Sequence, residues 1–496
     1  MVLLSFLLLC LIRGLLGSLS PARAPPMGWN SYNVFGYVPH QEGISRQMRA
    51  LVQPVVERKT GGSSVHESLL ELGYNSVGLD DGWQECSPSE YPRVDGRAVI
   101  NNSRFHNMRG MVEEGHALGL NMWFYHNGQG CRGEDVWQHV GDKQLSCCIR
   151  EDLAQAIDLG FDGIKVDGGA DNIDDMTKWM DLIEGAQQEL FFANAATPGG
   201  EMFAARNPDP GSIVELSSRF NTYRVWPDIS PQFYSAMKSL QAMVPFLDPT
   251  NPLSYPGMWA DPDALQAFNV VGVAQMSDTE SRTHFAAWCV TSAPLVLGFD
   301  LADSEVFRRA YPVIGNKRAI DVNQRWAGHP GRLVKSSPEV FFAPTAHGLV
   351  DYCDNTAEVE SYIEPWLSKR DADIDSVCGR FSSWSLRAVC RSRLARPNFT
   401  LCNNFSFPVW QLWAKVRPDG EQAVLLINLS PEPRELSFAL SDVGIFSSRA
   451  RALDVWSGKE SVIEGRLTSQ RVRPHDSIFL IVTPASQLRT ITQRYV

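Results

Sequence analysis

The 496-residue sequence has no basic stripe, no internal repeat and no low-complexity tract. No glycine-rich phosphate turn follows its first strand, and no apolar run beyond the N-terminus approaches 18 residues. Each absence removes a class of function. The 45 Lys and Arg against 56 Asp and Glu leave a net charge of −11, which argues against nucleic acid as a partner. A dinucleotide-binding sheet lacks its phosphate turn. With no second apolar span, the chain has no membrane contact once its leader is removed. No cysteine spacing, and no histidine beside one, has the form of a zinc site.

What is present is a globular composition, 44% hydrophobic and 20% charged. The N-terminus is apolar from Val2 to Leu16 with only Arg13 interrupting, the length of a signal-peptide core rather than a span, with an uncleaved anchor as the plainer alternative. Cleavage after Ser18, Ser20 or Ala24 would suit it, so residues 1–24 are read as a leader. Ten cysteines agree with the secretory pathway, ending in secretion or in a lysosome- or vacuole-like compartment. Cys10 lies in the leader, and Cys289, in "AAWCVTSAP", reads as a buried free thiol. The other eight are expected in disulfides, Cys131 with Cys147 or Cys148 and the last four among themselves. Sequons at Asn101, Asn398, Asn404 and Asn428 fit a glycoprotein.

From about Pro25 to Leu301 eight short apolar runs alternate with amphipathic stretches such as Met108–Leu118, Ile149–Leu159, Met176–Leu190 and Ser230–Met243. That alternation predicts a (β/α)8 TIM barrel over 25–330, with a doubly wound open sheet as the competing architecture. After Asn323–Val334 the texture changes to short strands separated by Pro, Gly and Ser turns. Residues 331–496 therefore read as a smaller antiparallel β-sandwich domain. Within it, about 343–408 form a Cys-rich insertion with little periodicity.

In such barrels chemistry sits at the C-terminal ends of strands. The second strand ends in Asp80-Asp81-Gly82-Trp83, the third in Tyr125-His126-Asn127, and the fourth in Lys165 and Asp167. Arg224 and Asp228 follow the sixth strand; Trp259, Asp261 and Asp263 follow the seventh. Carboxylates, two cations and aromatic faces on one rim suit a sugar, and glycoside cleavage needs two carboxyls of different protonation state. Lys165 beside Asp167 is expected to hold that carboxyl ionised, while Asp228, after the apolar "RVWP", is expected to be less polarised and keep its proton. Plainer readings stand beside these. Asp80 and Asp81 could form a turn, Asp261 and Asp263 could cap the next helix, and His126 could be a hydrogen-bonded core residue. Arg224 could simply neutralise a neighbour, and a divalent metal is disfavoured by the cations in the cluster.

The segments "PPMGWNSYNVFG", "LGYNSVGLDDGWQ", "GIKVDGG", "YRVWPDI", "WADPDAL" and "ESRTHFAAWCVTSAPLVLGFDL" occur in the order and spacing of the α-galactosidase (melibiase) family, family 27 of the glycoside hydrolases. The chain resembles that family from Pro25 to Val334 and more loosely through its C-terminal strands. The resemblance implies a retaining hydrolase that removes terminal α-linked galactose, with no metal or organic cofactor. It implies Asp167 as nucleophile and Asp228 as acid/base. Trp29, Asp80, Asp81, Tyr125, Lys165, Arg224 and Asp263 would contact the sugar, and a homodimer is compatible with it. An α-N-acetylgalactosaminidase is the nearest alternative, and an inactive galactose-binding protein a more distant one.

Three positions depart from the family pattern. Gly82 stands where a cysteine often follows the aspartate pair. Gly169 replaces a cysteine two positions after the nucleophile. "ANAATPGG", Ala193–Gly200, replaces a segment that reads the second carbon of the sugar.

Overall fold

The computed structural model describes residues 22–59, 62–85, 92–127, 132–133, 136–137, 148–167, 173–186, 189–195, 219–271, 274–346, 402–469 and 471–485. Each of the eight apolar runs contains one short strand. These are β1 (Met27–Asn30), β2 (Ser76–Gly78), β3 (Asn121–Asn127), β4 (Gly163–Asp167), β5 (Phe191–Asn194), β6 (Thr222–Arg224), β7 (Trp259–Asp261) and β8 (Leu295–Leu297). From β1 to β7 each strand pairs in parallel with the next in sequence, and β1 also pairs in parallel with β8. Leu265, just after β7, closes the ring. Its N–H donates to the Val296 carbonyl at 2.7 Å, and its own carbonyl accepts from Gly298 at 3.0 Å. This is the expected barrel, and the closure removes the open-sheet alternative.

Helices α1 (Gln41–Val52), α2 (Met108–Ala117), α3 (Ile149–Leu159), α4 (Ile173–Glu184), α5 (Phe233–Ala242), α6 (Asp278–Val290), α7 (Ser304–Ile314) and α8 (Lys317–Gln324) surround it. The expected Met176–Leu190 stretch starts earlier and stops at Gly185, where a helix commonly ends. Helix α6 begins in a full capping box between Ser277 and Glu280. It is buried on nearly every side, which requires a second layer over the barrel.

That layer is an eight-stranded antiparallel sheet. From one edge inward its first four strands are β9 (Arg332–Ser336), β10 (Trp410–Val416), β11 (Gln422–Asn428) and β12 (Ser477–Pro484). Alternation gives these strands two apolar faces. Trp413, Leu425, Ile427 and Phe479 join the barrel's core, while Leu412, Val424, Leu426, Leu480 and Val482 form a separate one. Part of the stretch expected to lack periodicity is regular, since Val340–Ala346 pairs with Cys402–Pro408 as a hairpin. The residues between the two strands lie outside those described. Farther across the sheet, the strands Glu460–Glu464 and Arg466–Thr468 carry almost no buried apolar residue and so leave little sequence signal.

Three sequence readings meet the structure here. Cys289 is free and buried, and Cys148 is disulfide-bonded. The other cysteine pairings fall outside the described contacts. Asn428 is no glycan acceptor as folded: it is fully buried, and its Nδ2 donates to the carbonyls of Glu432, Val472 and Arg473.

Lys415 pins β10 to the barrel. It is 1% exposed, and its Nζ donates to the carbonyls of Val322 and Asn323 at the end of α8. Burial pulls its pKa down to about 7. The unfolded chain therefore binds one proton more than the folded one between that value and the ordinary lysine range. This group makes stability rise with pH across that window, by up to about 1.4 kcal/mol per pH unit. Denaturant unfolding of wild type and Lys415→Met at pH 7, 8 and 9 should show the gap between them widening as pH rises. A gap independent of pH would mean that Lys415 stays charged.

Candidate active site

The C-terminal ends of the barrel strands converge on one pocket, lined by Trp29, Asp80, Asp81, Tyr125, Lys165, Asp167, Arg224, Asp228, Asp261 and Asp263. All nine residues picked from the sequence as site residues are among them. The convergence follows from strand register. Lys165 sits opposite Tyr125 on β3, and Arg224 sits opposite Asp261 on β7. Trp29 is anchored by its indole N–H, which donates to the Phe299 carbonyl at 2.9 Å.

Asp80 and Asp81 are both 2% exposed and serve two roles. As a turn, Asp80 Oδ1 accepts from the Asp81 N–H and Asp81 Oδ1 from the Gly82 N–H. As a pocket wall, Asp80 Oδ2 accepts from Asn30 Nδ2 at 2.8 Å and from Lys165 Nζ at 2.7 Å. Lys165 Nζ lies 4.0 Å from Asp167 Oδ2, so its main partner is Asp80 and not the carboxylate two residues away. Tyr125 O–H donates to Asp167 Oδ2 at 3.3 Å, and the Lys165 ammonium lies 5.3 Å from the centre of the Tyr125 ring. On the opposite wall, Arg224 Nη2 reaches Asp228 Oδ1 at 2.7 Å and Asp263 Oδ2 at 2.8 Å.

These contacts correct two electrostatic expectations. Burial in the pocket raises the Asp167 pKa. Lys165 opposes that rise, and Asp228 and Asp80 add to it, so the lysine moderates the carboxyl without bringing it below the ordinary range. Asp228 is not unpolarised, because it is ion-paired to Arg224 with its side chain 59% exposed at the pocket mouth. Asp263 is pushed up to about 6 by burial, against the pull of Arg224. Lys165 is raised above its ordinary value by Asp80 and then Asp167, despite its burial.

Asp261 and Asp263 cap no helix, since α6 is capped by Ser277. Instead the Asp261 carboxylate accepts from the Asp263 N–H at 2.8 Å, and Asp263 holds a left-handed backbone at φ 89°. His126 is the core residue of the plainer reading, with Nε2 2.8 Å from Asp152 on α3. Trp83 and Trp259 leave the rim. Trp83 donates to the Tyr125 carbonyl and packs on Phe124. Trp259, at the start of β7, donates to the Ala22 carbonyl at the opposite end of the barrel.

Asn30, Tyr32 and Tyr37 line the pocket and were not singled out in the sequence. Asn30 ends β1, so the strand-end rule applied there would have found it. Tyr37 comes from outside the strand ends. Its O–H accepts from Tyr32 O–H at 3.0 Å, and its backbone passes so close to Gly82 that a Cβ there would lie 2.3 Å from the Tyr37 carbonyl. Gly82 also has φ 91°, so two constraints favour glycine where the family often has cysteine. Among the described residues no group of three His, Cys, Asp or Glu side chains is placed to hold a metal ion, and no helix is long and apolar enough to cross a membrane.

A closed parallel barrel whose strand ends present paired carboxylates, two cations and aromatic faces defines a glycosidase. The chain belongs to the α-galactosidase family. The family model described as "Alpha galactosidase A" matches residues 24–325, and that of the "Alpha galactosidase C-terminal beta sandwich domain" matches 409–482. An α-galactosidase of Oryza sativa subsp. japonica is 27% identical over 342 residues, covering 66% of this chain and 70% of its own. An α-N-acetylgalactosaminidase of Gallus gallus is 23% identical over 342 residues, covering 65% and 76%. The crystal structure of α-galactosidase I from Mortierella vinacea superposes with a TM-score of 0.62 at 16% identity, covering 94% and 98%, and shows the shared fold.

Lys165→Met should move the Asp167 titration to higher pH, because it removes the stronger of the two cations, Lys165 and Arg224, that favour the charged form. Carboxyl-carbon NMR with labelled aspartate reads this, with the Asp167 resonance assigned by its loss in Asp167→Asn. An unchanged or lowered midpoint would contradict the charge balance described.

Proposed function

We propose that the protein is a retaining, exo-acting α-galactosidase. The observation that carries the reading is the placement of Asp167 and Asp228 in one pocket, each beside a cation shared with a further aspartate. Asp167 attacks the anomeric carbon while Asp228 gives its proton to the departing glycosidic oxygen, and a galactosyl ester forms on Asp167. Asp228 then takes a proton from water, the water oxygen attacks the anomeric carbon, and Asp167 leaves. Two inversions give net retention. Asp80, Asp81 and Lys165 offer acceptors and a donor to the sugar hydroxyls, and Trp29 an apolar face.

Ala193 and Ala195, at the end of β5, favour a second reading. These small side chains line the pocket and would leave room for an N-acetyl group, as an α-N-acetylgalactosaminidase needs. A route through the secretory pathway completes the proposal. The Ala22 carbonyl accepts from Gly257 N–H and from the Trp259 indole, which supports leader cleavage after Ser18 or Ser20, since cleavage after Ala24 would remove both bonds.

A panel of nitrophenyl α-galactoside, α-N-acetylgalactosaminide and β-galactoside should show hydrolysis of the first, with the α-anomer of the sugar released initially. Preference for the second would select the alternative, and no turnover of either would leave a binding protein. Asp167→Asn should lose activity by about 10³-fold or more, and Asp228→Ala by about 10²–10⁴-fold. Azide separates the roles. It should form a β-glycosyl azide with an Asp167→Ala variant, by one inversion, and an α-glycosyl azide with Asp228→Ala, by two. The opposite pattern would exchange the assignments.

A further inference from the structure

Strand β6 ends at Arg224 and the loop after it carries Asp228, with Trp226 midway between the two, and Trp226 is held from both sides. The Phe405 ring, on the hairpin strand Cys402–Pro408, meets it edge to face, with centres 6.0 Å apart and planes at 75°. Lys238 of α5 places its ammonium 4.6 Å from the centre of the Phe405 ring and 5.1 Å from that of Trp226. No carboxylate among the described residues pairs with Lys238. Burial pulls its pKa below the ordinary lysine value, so a desolvated cation rests on two aromatic faces. One turn earlier on α5, Tyr234 packs on Phe341 and Phe407 of the same hairpin, and its O–H bonds His475 Nε2 at 2.9 Å. The hairpin thus grips α5 at two successive turns, and at the second it meets the loop that carries Asp228.

We propose that Phe405 and Lys238 are positioning residues, clamping Trp226 so that Asp228 is set for proton transfer to the leaving group. The inference rests on the reading of Asp228 as acid/base. Only Pro227 separates Trp226 from Asp228, and its fixed φ leaves little slack to absorb a rotation of the indole. Asp228 is exposed at the pocket mouth, with Arg224, four residues earlier at the end of β6, as an ion-pair partner. A carboxyl placed there is sensitive to its backbone, because general acid catalysis requires hydrogen-bond reach of the leaving oxygen. The aromatic hairpin residue gives the C-terminal layer a part in the chemistry, although none of that layer's described residues lines the pocket.

Leaving-group dependence tests this, because a dinitrophenolate departs with little help from an acid whereas an alkoxide needs the proton. The kcat/KM values of Phe405→Ala, Lys238→Met and Phe405→Tyr are measured on the dinitrophenyl and methyl glycosides of whichever sugar the panel identifies. In the first two variants the methyl-to-dinitrophenyl ratio should fall by about tenfold or more, a part of the full effect of an acid catalyst. In Phe405→Tyr, which keeps the ring, the ratio should stay at its wild-type value. Lys238→Met retains side-chain bulk and keeps the test open if Phe405→Ala fails to fold. Equal losses on both substrates, or a wild-type ratio in both variants, overturn the clamp. Asp228→Ala serves as the reference. If it shows the split and the clamp variants do not, the clamp alone is wrong; if it shows none, the acid/base reading falls and the clamp falls with it.

Discussion

The site depends on a charge imbalance confined to the mouth of a barrel. Among the described residues, six aspartates, Asp80, Asp81, Asp167, Asp228, Asp261 and Asp263, line the pocket with two cations, Lys165 and Arg224. Water screens little there, so like charges repel strongly and every buried carboxylate is costly. The structure spreads each cation over two carboxylates, and burial still leaves Asp167, Asp261 and Asp263 with raised pKa values. Arg224 bridges Asp228 and Asp263, while Lys165 bonds Asp80 and lies near Asp167. Backbone donors take some of the remaining load, as where the Ile229 N–H meets Asp263 Oδ2 at 2.8 Å. A pocket so rich in carboxylate acceptors suits a ligand that brings hydroxyl donors, as a sugar does.

Holding the cluster requires rigid supports, because a small displacement would leave a carboxylate without its cation. Parallel strands provide most of that support, and helix α6 provides the rest. Its residues face the barrel on one side and the antiparallel sheet on the other, and Trp288 donates its indole N–H to the Asp263 carbonyl at 2.9 Å. That bond helps hold Asp263 at φ 89°, a conformation uncommon for any residue but glycine. The antiparallel sheet therefore supports the pocket indirectly, by burying the helix that constrains one of its carboxylates.

The site was legible in the sequence because its residues obey one local rule, placement at the C-terminal end of a short apolar run. The same rule misplaced Trp259, because strand β7 is three residues long and that ring sits at its other end. What stayed hidden involves pairings across the barrel. Neighbours in sequence made Lys165 and Asp167 look like partners, yet register brings the lysine to Asp80 across two strands. Asp228 looked unpolarised beside an apolar tripeptide, and only the turn of its loop returns it to Arg224. Asn428 shows the limit of a motif read without burial, since its sequon is intact while its amide is used up by three carbonyls.

Gly82 ties these threads together at a position where the chain departs from its family. A missing cysteine at that point reads as a lost link, whereas the structure uses the absent side chain to seat the Tyr37 backbone against the aspartate pair. Arg104 holds the same carbonyl from outside, through its Nη1 at 2.7 Å. This close approach brings the Tyr37 hydroxyl to that of Tyr32, and both rings join the pocket wall. Any side chain at position 82 would have to displace Tyr37, and with it the hydroxyl pair next to Asp80. The departure is therefore better described as a change in how the wall is built than as a weakening of it, and it places two phenols within reach of whatever sugar the aspartates hold.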